Sequence, residues 1–229
     1  GVVWVAESIN PPSLLRLTMD GQVEVFMTEC DGEPFLFPND LAFGPDGALY
    51  MTDSGIPFSE WRRQREIDYT KAQTDGRVYR IDLKSKKATK LDSGLRFTNG
   101  IAFGPEHGLY VNETITGNVF RYQWEAGAII PKREMFANVI DPAGPDMYKG
   151  PDGMAFGRNR RLYVTVFGQG DVTVLEPDGR LVERLPLEGK STTNVAFGPP
   201  GEKRIYVTEQ GLGRIEVLDV DTEGLPLHG

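Results

Sequence analysis

An all-β fold of the six-bladed β-propeller type, with about five blades represented, is predicted by three observations. One short signature recurs along the chain, a second follows each copy, and turn-forming residues punctuate the whole. The first signature is Leu41-Ala42-Phe43-Gly44, which recurs as Ile101-Ala102-Phe103-Gly104, Met154-Ala155-Phe156-Gly157 and Val195-Ala196-Phe197-Gly198. The second is Leu49-Tyr50-Met51-Thr52, which recurs as Leu109-Tyr110-Val111-Asn112, Leu162-Tyr163-Val164-Thr165 and Ile205-Tyr206-Val207-Thr208. The aromatic positions 4, 50, 110, 163 and 206 lie 46, 60, 53 and 43 residues apart. Repeats of several short strands at about 40–50 residues are the mark of propeller blades.

The elements follow in chain order. Val3-Trp4-Val5-Ala6 is a second strand with no first strand before it. First strands are expected to start near residues 39, 99, 152 and 193, each followed by its second strand. Third strands are expected at Arg77 to Leu83, Asn118 to Gln123, Asp171 to Leu175 and Arg214 to Leu218. Each segment is rich in β-branched and aromatic residues, as strands require. Gly44-Pro45-Asp46-Gly47 and Pro177-Asp178-Gly179 divide strands, because Gly and Pro supply the φ values of tight turns. The 27 glycines are about 12% of the chain, against roughly 7% on average. Residues 1–229 are expected to form a single propeller domain. The tail after Leu218 is a poor inner strand because of Pro226.

Composition excludes several classes of function. The net charge of −8 argues against a nucleic-acid or anionic-membrane partner. Cys30 is the one cysteine, so there is no internal disulfide and no multi-Cys metal cluster. The two histidines, His107 and His228, make a multi-His zinc site a poor expectation. His107 falls in a hairpin turn, and neither histidine stands near a serine elbow, which argues against a Ser-His-Asp hydrolase. The longest apolar run, Val2 to Ala6, is far shorter than a membrane span. With no secretion signal visible, a cytoplasmic location is expected.

The candidate site comes from one recurring position. Three residues before each alanine of the first signature stand Asn39, Asn99, Asp152 and Thr193. In a propeller the first strands line a central channel, so these four oxygen-bearing side chains are expected at its mouth. Oxygen donors converging from several strands suit a hard cation, Ca²⁺ best. The competing reading is that Asn and Asp shape the turn before each strand. Register separates two copies of Gly-Pro-Asp-Gly. Asp46 follows the first signature and is expected in solvent, whereas Asp152 precedes it and is expected to face the channel.

Strands alternate in direction, so the insertion Gly55 to Gly76 lies on the face of Asn39. It carries Trp61, Arg62, Arg63, Arg65 and Tyr69. It is either a lid that shapes a substrate pocket or a solvated excursion. The connection Asp141 to Gly150 opens on the same face. Asp53, Glu113 and Glu209 end second strands there and are expected in solvent.

Pro38-Asn39-Asp40, Phe97-Thr98-Asn99-Gly100-Ile101-Ala102-Phe103 and Gly150-Pro151-Asp152-Gly153-Met154 resemble the gluconolactonase and regucalcin (senescence marker protein) family. Thr193 to Gly198 and Gly224-Leu225-Pro226-Leu227 resemble its bacterial lactonases. The resemblance implies six blades, one divalent metal, and hydrolysis of sugar lactones or related esters. Ca²⁺ is the usual ion, with Zn²⁺, Mg²⁺ and Mn²⁺ as alternatives. By position it makes Asn99 and Asp152 metal ligands, with Asp152 also general base or nucleophile. Asn39 would bind metal, metal-bound water or substrate. Apart from the resemblance, the lid reading of the insertion and the recurring position make Trp61, Arg62 and Thr193 candidate substrate-binding residues. The family's further ligand is a glutamate on the first strand of blade one, in a Glu-Gly-Pro setting that this sequence lacks. Blade one is therefore expected to be missing, leaving open strand edges for self-association. The alternatives are a non-catalytic binding platform with a partial metal site, an organophosphate or ester hydrolase, and a strictosidine-synthase-like propeller.

Overall fold

The computed structural model describes residues 1–144 and 148–229. Residues 145–147, inside the connection expected at Asp141 to Gly150, lie outside the described residues. The chain divides into two compact units, residues 1–101 with 228–229, and residues 102–227.

Five antiparallel sheets follow one another along the sequence. The first is β1 (Val2–Glu7), β2 (Ser13–Thr18) and β3 (Val23–Met27). A small hairpin, β4 (Glu29–Cys30) and β5 (Glu33–Pro34), precedes the second sheet. That sheet is β6 (Pro38–Phe43), β7 (Leu49–Asp53), β8 (Gly76–Asp82) and β9 (Lys87–Leu95). The third runs β10 (Thr98–Phe103), β11 (Leu109–Glu113), β12 (Asn118–Tyr122) and, after the hairpin β13 (Trp124–Glu125) and β14 (Ala128–Ile129), β15 (Glu134–Asn138). The fourth is β16 (Gly150–Phe156), β17 (Leu162–Phe167), β18 (Asp171–Leu175) and β19 (Leu181–Pro186). The fifth is β20 (Thr192–Phe197), β21 (Arg204–Glu209) and β22 (Arg214–Asp219). The boundary between the two units falls inside β10.

The four expected first strands are β6, β10, β16 and β20, each within two residues of its expected start. Each sheet is a meander whose neighbours in sequence are neighbours in space. The two signatures recur together because they touch. A Cβ on Gly44 would stand 2.4 Å from the Tyr50 ring, and one on Gly104 would stand 2.8 Å from the Tyr110 ring. The glycine of the first signature therefore seats the tyrosine of the second. Those tyrosines reach the next sheet within their unit: Tyr110 meets Phe156 edge-on at 4.8 Å, and Tyr163 meets Phe197 at 5.0 Å. Such edge-to-face pairs contribute about 0.5–1.5 kcal/mol beyond area burial.

In the first unit, Leu14, Phe35, Leu49, Met51, Tyr79 and Ile81 form one apolar cluster. In the second unit, Val119, Val139, Met154, Leu162 and Val164 form another, and Val172, Val174, Val195, Ile205 and Val207 a third.

The long insertion is helical. Phe58–Asp68 forms α1, followed by a 3₁₀ turn at Tyr69–Lys71. Trp61 is the helix's one buried residue, and with Phe58 and Ile67 as its other apolar side chains the segment shows no sustained helical period. The Trp61 ring lies 4.1 Å from that of Phe97, and Phe58 packs edge-on against Phe37 at 5.5 Å. Aromatic packing beside the entries to β6 and β10 therefore holds the helix in place.

Candidate active site

The recurring position sits on a structural irregularity. In the second sheet Pro38 pairs with Asp53 and Leu41 with Met51, so Asn39 and Asp40 oppose Thr52 alone. In the fourth sheet Pro151 pairs with Val166 and Met154 with Val164, so Asp152 and Gly153 oppose Thr165. In the fifth, Thr192 pairs with Glu209 and Asn194 with Thr208, leaving Thr193 as the extra residue. Three first strands thus carry a β-bulge at the same place, and Asn39, Asp152 and Thr193 occupy it. A bulge breaks the alternation of side chains and re-aims the extra residue.

A bulge also withdraws backbone groups from the ladder, and these need partners. Side chains at the ends of the second strands provide them. Thr52 Oγ1 donates to the Asn99 carbonyl at 2.6 Å, and Ser54 Oγ donates to the Thr98 carbonyl at 2.8 Å. Asn112 Nδ2 donates to the Asp152 carbonyl at 2.5 Å, and Thr114 Oγ1 to the Pro151 carbonyl at 2.8 Å. Thr165 Oγ1 lies 3.1 Å from the Thr193 carbonyl and 3.0 Å from that of Gly153. The last residue of the second signature therefore grips the candidate residue of the following sheet. The sequence displays that residue four times, but its partner lies 28 to 47 positions away.

Asn99 is buried, whereas Asn39, Asp152 and Thr193 are half-buried. Asn39 Nδ2 donates to Ser54 Oγ at 3.0 Å. Thr193 Oγ1 pairs with Thr208 Oγ1 at 2.7 Å. Phe97, two residues before Asn99, has φ of 65° and is buried. A bulky residue in the left-handed region is strained, and such strain gathers at functional sites. Trp61 is buried against Phe97, and Arg62 is exposed on the same helix.

Several groups differ from the sequence expectation. Asp53, Glu113 and Glu209 are buried rather than solvated. Asp53 accepts hydrogen bonds from the Leu36, Phe37 and Gly55 N–H groups at 2.8, 3.0 and 2.8 Å. Glu209 accepts from the Ser191 N–H at 2.8 Å, and Glu113 from Thr116 Oγ1 at 2.6 Å. These acids end second strands by tying down the adjoining loops, and the folded loops cover them. Burial pushes the Asp53 carboxyl above the usual range, against the pull of its three N–H donors. Asp46 is held by Arg80 at 2.7 Å and by the Tyr50 hydroxyl at 3.3 Å. His107 is exposed, as expected.

Asp40 is a carboxylate that sequence reasoning passed over. It accepts from the Leu41 N–H at 2.8 Å and the Ile101 N–H at 3.1 Å, so it ties β6 to β10. Desolvation pushes it up to about 6, against both hydrogen bonds. The only hint in the sequence was its place beside Asn39.

Among the described residues, no three His, Cys, Asp or Glu side chains gather to hold a metal ion. The bulge residues supply oxygen donors, the type that suits a hard cation, but Asp152 is the one carboxylate among Asn39, Asn99, Asp152 and Thr193. The donor type fits a divalent ion, and the charge is low for tight binding. Among the described residues, no helix is long and apolar enough to cross a membrane.

Repeated antiparallel meanders with bulged first strands define a β-propeller with five blades represented. The chain belongs to the SMP-30/gluconolactonase/LRE-like family, whose region matches residues 9–211. It is 34% identical over 211 residues to strictosidine synthase-like protein 10 of Arabidopsis thaliana, covering 91% of this chain and 54% of that protein. It is 27% identical over 227 residues to a gluconolactonase of Zymomonas mobilis, covering 94% of this chain and 60% of that one. The chain thus spans between half and two thirds of the length of these curated relatives. A calcium-binding protein, regucalcin, from Agrobacterium tumefaciens has the same fold, with a TM-score of 0.76 at 22% identity over 99% of this chain and 76% of that one.

Proposed function

We propose that this chain carries most of the active site of a metal-dependent hydrolase of sugar lactones or related esters. The observation that carries the proposal is the bulge in β16, which lifts Asp152 out of the ladder at the position where the lactonase resemblance implies a general base or nucleophile. Membership of a family with gluconolactonase relatives supports the lactone substrate. In this reading Asn99 and Asp152 ligate a divalent ion, Ca²⁺ foremost, and Asn39 binds the ion, its water or the substrate. A bound cation would polarise the lactone carbonyl.

The chain's own residues do the rest. An Asp152 carboxylate oxygen takes a proton from water as the water oxygen attacks the carbonyl carbon. The ring C–O bond then breaks, the ring oxygen takes that proton from Asp152, and an open-chain hydroxy acid leaves with the Asp152 carboxylate restored. Arg62 and Thr193 contact the substrate, and Trp61, seated on Phe97, fixes the helix that carries Arg62. The test is turnover of a panel of aldonolactones with and without added Ca²⁺. Ca²⁺-stimulated ring opening that is lost in Asp152→Asn supports the proposal, and no turnover in any metal overturns it.

The low charge of the donor set favours a second reading, a propeller that binds a lactone or ester without hydrolysing it. Saturable lactone binding by calorimetry with no turnover would select that reading.

A further inference from the structure

Asn112 differs from the threonines that occupy its position in β7 and β17. It is fully buried. Its Nδ2 donates to the Asp152 carbonyl, and Thr114 Oγ1 donates to the neighbouring Pro151 carbonyl. The Asp152 carbonyl lies on the bulge of β16, between the ladder pairs Pro151–Val166 and Met154–Val164, and the Pro151 carbonyl lies at its edge. The bulge residue is thereby gripped from another sheet of the same unit. The other half of the Asn112 amide, Oδ1, is buried and has no hydrogen-bond partner among the described residues. A buried acceptor left unpaired lowers stability. Thr52 and Thr165 grip their carbonyls through a single hydroxyl and leave no such atom unpaired. What Asn112 shares with these threonines is a buried donor aimed at the carbonyl of the next sheet's candidate residue, here that of Asp152.

We propose that Asn112 is a positioning residue that fixes the Asp152 main chain and, through it, the direction of the Asp152 carboxylate. The proposal rests on Asp152 as the general base. Asn112 touches neither substrate nor attacking water; it acts by denying the bulge a second conformation. Holding a reacting group in place is worth large factors in rate, and supporting hydrogen bonds one shell out are worth about 10- to 100-fold.

The experiment compares Asn112→Val, which removes the donor, with Asn112→Thr, which keeps a donor on a side chain of nearly the same shape. It uses the full chain. In Asn112→Val, kcat for lactone hydrolysis should fall about 10- to 100-fold with KM little changed. Asn112→Thr should recover most of the loss. Backbone amide exchange at Gly153 and Met154, followed by NMR, should quicken about tenfold or more in Asn112→Val, recover in Asn112→Thr, and stay unchanged in β18 and β19 of both. Equal behaviour of the two variants overturns the proposal, as does unchanged protection at Gly153 in Asn112→Val. If the parent chain opens no lactone while the exchange pattern appears as stated, the positioning role stands and the lactonase reading falls. If Asn112→Val does not fold, Asn112→Thr decides: parental kcat and protection support the role, and a loss of kcat with protection intact overturns it.

Discussion

Thr52 Oγ1 accepts a hydrogen bond from the Asp40 N–H at 3.1 Å and donates one to the Asn99 carbonyl at 2.6 Å. One hydroxyl thus satisfies a backbone donor exposed by the bulge in β6 and a carbonyl at the start of β10. Its carrier is fully buried, so water cannot substitute for either bond. Thr52→Val keeps the shape and strands both groups. It should lower stability by about 1–3 kcal/mol, whereas Thr52→Ser should lose much less. Urea denaturation checks this, and an unchanged midpoint in Thr52→Val would disprove it.

Asp152→Asn removes the proposed proton acceptor and the one carboxylate of the donor set while preserving side-chain volume. Turnover should fall about 10²- to 10⁴-fold, the range for loss of a general base. The Asp152 carbonyl still accepts from Asn112, so the melting temperature should barely move. Turnover within a factor of a few of the parent (about threefold) would remove Asp152 from the chemistry.

Asn99 offers a charge test of the proposed ion site. Asn99→Asp adds a second carboxylate, and ligand charge tunes Ca²⁺ affinity, so calorimetry should show binding tightened by about tenfold or more. Because the position is buried, the same substitution should destabilise the metal-free chain, and excess Ca²⁺ should reverse that loss. Calcium affinity equal to the parent's in Asn99→Asp would place the ion elsewhere.

The pH dependence of stability should carry a signature of Asp171. This carboxylate is buried and accepts from Gln169 Nε2 at 2.8 Å and Thr173 Oγ1 at 2.9 Å, with Arg184 Nη1 at 3.8 Å. Desolvation nevertheless raises it above the ordinary carboxylate range, and Asp141 adds to the rise. A carboxyl raised in the folded state binds more protons there than in the unfolded chain. Its contribution to stability is then greatest below the unfolded value and declines as pH rises through the folded one. Asp171→Asn should therefore gain stability relative to the parent between about pH 4 and pH 7. Denaturation curves at those two pH values give the comparison, and a difference that shrinks with rising pH contradicts the assignment.

The amino-acid sequence by itself determined the strand repeat and the four positions Asn39, Asn99, Asp152 and Thr193. Both are local: alternating apolar residues and flanking Gly, Pro and Asp specify a short strand and its turns without reference to distant residues. The pairing of the two signatures is nearly local too, since Gly44 meets Tyr50 six residues on. Tertiary structure decided the rest. A bulge is a mismatch in register between two strands, so Asp40 and Gly153 give no sign alone that the ladder skips beside them. Whether Asp53 and Glu209 are solvated depends on which loop folds over them, and each carboxylate is covered by the N–H groups it holds. The helix Phe58–Asp68 exists because Trp61 finds Phe97, a contact across 36 residues that no period within the helix encodes. Asn112 was visible as the odd member of a repeated signature. Only the arrival of Asp152 beside it, 40 residues later in the chain, gives that amide a function to serve.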